Sequence, residues 1–88
     1  MTDKEQVGEK LQKSRDIISQ LREIRHYSQG NLEKLSEFWL ALDDEADFKA
    51  QADAINGLLN LQGDFQEKID VLINDFEIEC NRIENEET

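Results

Sequence analysis

Apolar side chains recur along this chain in alternating steps of three and four, and the series occurs twice. The first runs Val7, Leu11, Ser14, Ile18, Leu21, Arg25, Ser28, Leu32, Leu35, Trp39 and Leu42. Such a step keeps to one stripe of an α-helix, here for about five heptad repeats. The second runs Phe48, Ala52, Ile55, Leu59, Gln62, Gln66, Ile69, Ile73, Phe76, Cys80 and Ile83. Two seams of equal length, joined by a short acidic stretch, predict an all-α fold. The expected form is an antiparallel, coiled-coil-like two-helix hairpin that pairs with a second hairpin into a four-helix bundle.

The pattern sets boundaries within a single domain spanning 1–88. A helix is expected over about 3–42, a bend at 43–44, a second helix over about 45–84, and a frayed tail at 85–88. Thr2 and Glu5 have capping-box spacing at the first helix start. Asp43 or Asp44 is the expected cap of the second helix, with Glu45 and Asp47 in its first turn, where carboxylates favour the helix dipole. Gly30 and Gly63 are weak points, but the seam keeps its phase across both, so neither is expected to break a helix.

Taking Leu11 and Ala52 as heptad position a, the predicted intra-hairpin core is Leu11, Ile18, Leu21, Leu32, Leu35, Trp39, Phe48, Ile55, Leu59, Ile69, Ile73 and Phe76. A bend at 43–44 sets Leu32 opposite Ile55, Ser28 opposite Leu59, and Cys80 beside Val7. Arg25 then lies near Gln62 and, with Ser28 and Gln66, forms a polar layer in mid-seam. Such a layer can fix register at some cost in stability.

The flanks differ. In an antiparallel pair, e positions face e and g positions face g. The e side brings Arg15 and Arg22 toward Asp70 and Glu77, a charge-matched pairing. The g side brings Ile17, Ile24 and Phe38 toward Leu58, Phe65 and Leu72. A lone hairpin would leave those six side chains in water, so they are the predicted interface with a partner, most simply a second copy.

Charge narrows the partners. Residues 1–42 hold seven acids and seven bases; residues 43–88 hold fourteen acids and three bases, which is the whole net charge of -11. Direct binding to nucleic acid or to an anionic membrane is disfavoured, and a basic protein surface is the natural electrostatic target. No segment has an apolar signal core or the length of a membrane span. With one cysteine and no internal disulfide, the expected location is cytoplasmic, with export lacking a conventional signal peptide as the other route.

Candidate chemistry is sparse. Glu23 and His26 have Glu-x-x-His spacing, but they fall at outward positions f and b without accompanying inward carboxylates. Asp43, Glu45 and Asp47 open like a calcium loop, yet Phe48 and Ala54 stand where that loop needs Gly and Glu. Cys80 reads as a small core residue. No phosphate loop, nucleophile elbow or catalytic carboxylate pair is present, so no metal, cofactor or enzymatic activity is expected.

A hairpin of this length with Trp39-Leu40-Ala41 just before its bend resembles the WXG100 family, with Ala41 where the family has glycine. The family's C-terminal Tyr-x-x-x-Asp/Glu signal has no match; the nearest stretch, Phe76 to Cys80, departs at its last position. The resemblance implies a dimeric four-helix bundle linked to a specialised bacterial secretion system. The first expectation is therefore a non-enzymatic interaction module, homo- or heterodimeric. The alternatives are an acidic phage-type inhibitor or nucleic-acid mimic that blocks a basic groove, and a small secretion chaperone or co-chaperone.

Overall fold

The structure is a computed structural model that describes residues 2–87, with side chains described for 5–86. Helix α1 spans Thr2–Leu42, a 3-10 turn spans Ala46–Phe48, and helix α2 spans Lys49–Glu87. The helices pack along their length as a hairpin measuring 68 × 15 × 13 Å, and no strand occurs among the described residues. The capping-box side chain Thr2 lies outside the described side chains, and Thr88 lies outside the described residues.

α1 is unbroken through Gly30, and α2 through Gly57 and Gly63. No glycine has a positive φ. A continuous apolar seam outweighs the local weakness of a glycine, about 1 kcal/mol relative to alanine.

The bend differs from expectation. The chain leaves α1 with the Asp43 N–H donating to the Trp39 carbonyl at 2.9 Å and the Glu45 N–H to the Leu42 carbonyl at 3.0 Å. Glu45 is extended (φ -94°, ψ 104°) and no side chain caps the turn after it. Asp43 and Asp44 therefore cap nothing, and Asp47 falls in the 3-10 turn instead of the first turn of α2. α2 starts at Lys49, four residues later than position 45, and runs to Glu87.

That delay moves the register by about one helical turn. Ser28 faces Gln62 and Gln66, where the shorter bend would set it against Leu59. Ile18 packs in one buried cluster with Ile69, Ile73 and Cys80, flanked by Leu11, Leu21 and Phe76; Val7 is outside that cluster.

Every seam position from Val7 to Ile83 is buried or half-buried except Phe48. Phe48, expected in the core, is 49% exposed. It closes the 3-10 turn, whose three residues per turn break the phase that α2 establishes from Ala52 onward.

Candidate docking surface

Two helices side by side cannot enclose much. Five apolar side chains are buried among those described: Ile18, Ala52, Ile69, Ile73 and Cys80, with Ser28 the one buried polar side chain. Each helix covers the other's a and d stripe and leaves the flanking positions to solvent or to a partner.

The e flank is closed by ion pairs within the hairpin. Arg15 pairs with Glu84, Arg22 with Glu77, and Arg25 with Asp70, whose second oxygen accepts from Arg25 Nη2 at 3.4 Å. The expected cross-flank matching of Arg22 with Glu77 is present. Arg15 meets Glu84 instead of Asp70 or Glu77, in the same register as Arg22–Glu77, and Asp70 is taken by Arg25. Arg25 leaves the mid-seam layer for the same flank, where its guanidinium meets a carboxylate and water. The paired side chains remain 37–58% exposed, and each such pair is individually weak, on the order of 0–1 kcal/mol.

The mid-seam layer is then carried by amides and one hydroxyl. Gln62 Nε2 donates to Ser28 Oγ, Ser28 Oγ donates to Gln66 Oε1, and Gln66 Nε2 donates to Gln29 Oε1 at 2.9 Å. Gln29 takes the place expected for Arg25.

The g flank has no such closure. Ile17, Ile24, Phe38, Leu58, Phe65 and Leu72 are 41–51% exposed and form one line along the hairpin. Beside them lies a groove of about 530 Å³ lined by Asn31, Lys34, Leu35, Phe38, Leu58, Leu61, Gln62 and Phe65. A second hollow of about 290 Å³ continues it, lined by Ile24, Tyr27, Ser28, Asn31, Gln62 and Phe65. Their shared residues, Asn31, Gln62 and Phe65, make them one surface. Leu61 and Tyr27 join this face from position c, beside the six g-position side chains. The signal was available: c lies next to g on a helix, and both side chains are apolar or aromatic.

Among the described residues, no group of three His, Cys, Asp or Glu could hold a metal. His26 stacks edge-on against Tyr27, with ring centroids 5.9 Å apart, on the exposed surface. Cys80 is buried and free; the shallow hollow beside it is lined by Arg15 and Arg22, both engaged with carboxylates. Near the end of α2, Arg82 donates to Glu79 and Glu86. Its hydrogen bond holds the Glu79 carboxyl below the usual carboxylate range, and the two acids push the guanidinium upward. Among the described residues, no helix is long and apolar enough to cross a membrane.

Comparison with protein-family models, curated proteins and solved structures returns no match.

Proposed function

We propose that this protein is a non-enzymatic helical interaction module that docks another helical surface along its g flank, completing a four-helix bundle. One observation carries the reading. The e flank is satisfied by Arg–carboxylate pairs, while the g flank leaves six large apolar side chains about half exposed. Covering the remaining half of each gains about 1 kcal/mol per side chain. A row of this kind exceeds what a stable monomer normally leaves uncovered. The hairpin and the Trp39 position also support the WXG100 resemblance, with a role beside a specialised secretion system as the corresponding biological setting.

The test is the Ile24→Glu, Phe65→Glu double variant. Neither residue belongs to the buried cluster, so helix content should persist while association is lost. Unchanged mass in solution contradicts the g-flank interface.

A second reading is favoured by the placement of charge. The bend and α2 hold all of the excess negative charge, as an inhibitor of a basic groove would require. α1 is neutral overall, which leaves such a mimic with acids on one arm only.

A further inference from the structure

The two halves of α2 are held unequally. Its acids in the three cross-helix ion pairs are Asp70, Glu77 and Glu84, and the buried cluster draws Ile69, Ile73 and Cys80 from the same half. Nearer the bend, Ala52 is the one buried side chain between Lys49 and Gln66, with Ile55 and Leu59 half-buried. Gly57 and Gly63 weaken the helix in that stretch, and no side chain caps the 3-10 turn leading into it. Few buried contacts and low helix propensity mark a segment that opens ahead of the rest.

Asn56–Gly57, the single Asn–Gly pair in the chain, lies within that stretch, and both residues are exposed. We infer that this pair is a site of spontaneous covalent modification, closed while α2 is wound and opened when its bend-proximal stretch unwinds.

The reaction consumes only water. The Gly57 backbone nitrogen attacks the side-chain carbonyl carbon of Asn56 and a C–N bond forms. The carboxamide nitrogen leaves as ammonia, carrying the proton that the Gly57 nitrogen gives up. Water then adds to either carbonyl of the resulting five-membered imide and breaks that carbonyl's bond to nitrogen. Cleavage at the former side-chain carbonyl leaves aspartate. Cleavage at the backbone carbonyl leaves isoaspartate, whose main chain passes through the side-chain carbons. Glycine suits the attack because it has no Cβ to shield its nitrogen. Other residues do not shield it either, since a Cβ built at Gly57 meets nothing within 4 Å.

The wound helix keeps the reacting atoms apart. The Asn56 Cα–Cβ bond tilts toward the start of α2, while the Gly57 nitrogen lies toward its end. In the helical ladder that nitrogen donates its proton to the Asp53 carbonyl, four residues back. Attack requires the peptide to rotate out of the helical well, so each reaction event begins with local opening.

The two products differ in consequence. Aspartate adds a charge and leaves the backbone unchanged. Isoaspartate adds a carbon to the main chain, so α2 cannot rewind across it with its ladder in phase. Leu58 and Leu61, which line the apolar groove, lie just beyond. The site itself is independent of the docking reading; only the effect on that groove draws on it.

The experiment incubates the unaltered chain in mildly alkaline buffer, with and without enough guanidinium chloride to unfold it. Peptides are then read by mass spectrometry with electron-transfer fragmentation, which separates isoaspartate from aspartate. Both products are expected at position 56, forming at least about tenfold more slowly without denaturant, because opening of α2 limits the reaction. Native-state hydrogen exchange should show the amides around Gly57 exchanging ahead of those around Ile73. Gly57→Ala should slow the reaction even in denaturant, where only access to the nitrogen differs. An Asn56 left intact in denaturant overturns the site. Equal rates in the two buffers overturn its closure by the helix. Exchange around Gly57 as slow as around Ile73 overturns the local opening.

Discussion

Gln62 donates to the Ser28 hydroxyl at 2.7 Å, and the same hydroxyl donates to Gln66 at 3.1 Å. One buried Ser on α1 is thereby held between two Gln side chains a turn apart on α2. A slip of the helices by one heptad would set Ser28 between Ile55 and Leu59 or between Ile69 and Ile73, away from both Gln side chains.

Ser28→Ala should lower stability by about 1 kcal/mol, because it leaves half-buried amides without their partner. Replacing Ser28, Gln62 and Gln66 together by Leu should raise the thermal midpoint while loosening register. Midpoints from circular dichroism and intra-hairpin cross-link maps check both effects. A triple variant that keeps a single register contradicts the pinning role.

Arg25→Leu tests the neighbouring seam position. The guanidinium leaves the seam for Asp70 on an exposed flank, so its ion pair contributes on the order of 0–1 kcal/mol. A Leu at this a position is expected to match or exceed wild-type stability in urea unfolding. Loss of more than about 1.5 kcal/mol would exceed what an exposed pair supplies and would give Asp70 a larger structural role.

Much of the fold is legible in the heptad period, and so is the exposed apolar row, because g-position hydrophobes follow once the seam is assigned. The register is not legible. It depends on how many residues the bend consumes. That number follows from an extended Glu45 and a 3-10 turn at Ala46–Phe48, neither of which leaves a periodic trace. Phe48 and Arg25 fail for related reasons. Phe48 fits the four-step spacing numerically but sits where the turn geometry changes. Arg25 occupies an a position, yet its long stem lets the charged end reach the flank. Leu61 and Tyr27 extend the apolar row because position c adjoins g on a helix.

Gly30 and Gly63 should accept alanine. A Cβ at either meets nothing within 4 Å, and both are helical. Each substitution is expected to add about 0.5–1 kcal/mol. For a chain of this size that raises the midpoint by roughly 2–8 °C, provided the substitution leaves association unchanged. A fall at Gly30 would indicate that the soft point is needed, for instance to admit a partner's side chain.

Glu79 should titrate below the ordinary glutamate range because Arg82 donates to its carboxylate. Its folded-state affinity for protons is lowered. The associated stabilisation is therefore present above the unfolded glutamate pKa and fades as pH falls through the folded value. The residue is exposed, so the effect on overall stability is small. NMR titration of side-chain carboxyl carbons should show Glu79 below the ordinary glutamate range, and Arg82→Ala should return it to that range. An unmoved Glu79 in that variant contradicts the assignment.

Salt separates the apolar module from the acidic decoy. Binding through the g flank should change less than about threefold between 50 and 500 mM salt, because burial of apolar surface is not screened. Capture of a basic groove by α2 and the bend should collapse over the same range.

Sedimentation equilibrium of the unaltered chain tests the central claim most directly. A helical species of about twice the 10.3 kDa chain mass, maintained from micromolar concentration upward, is the predicted result. A fully helical single copy at several hundred micromolar, with Ile17, Phe38 and Leu72 shielded inside it, would contradict the account.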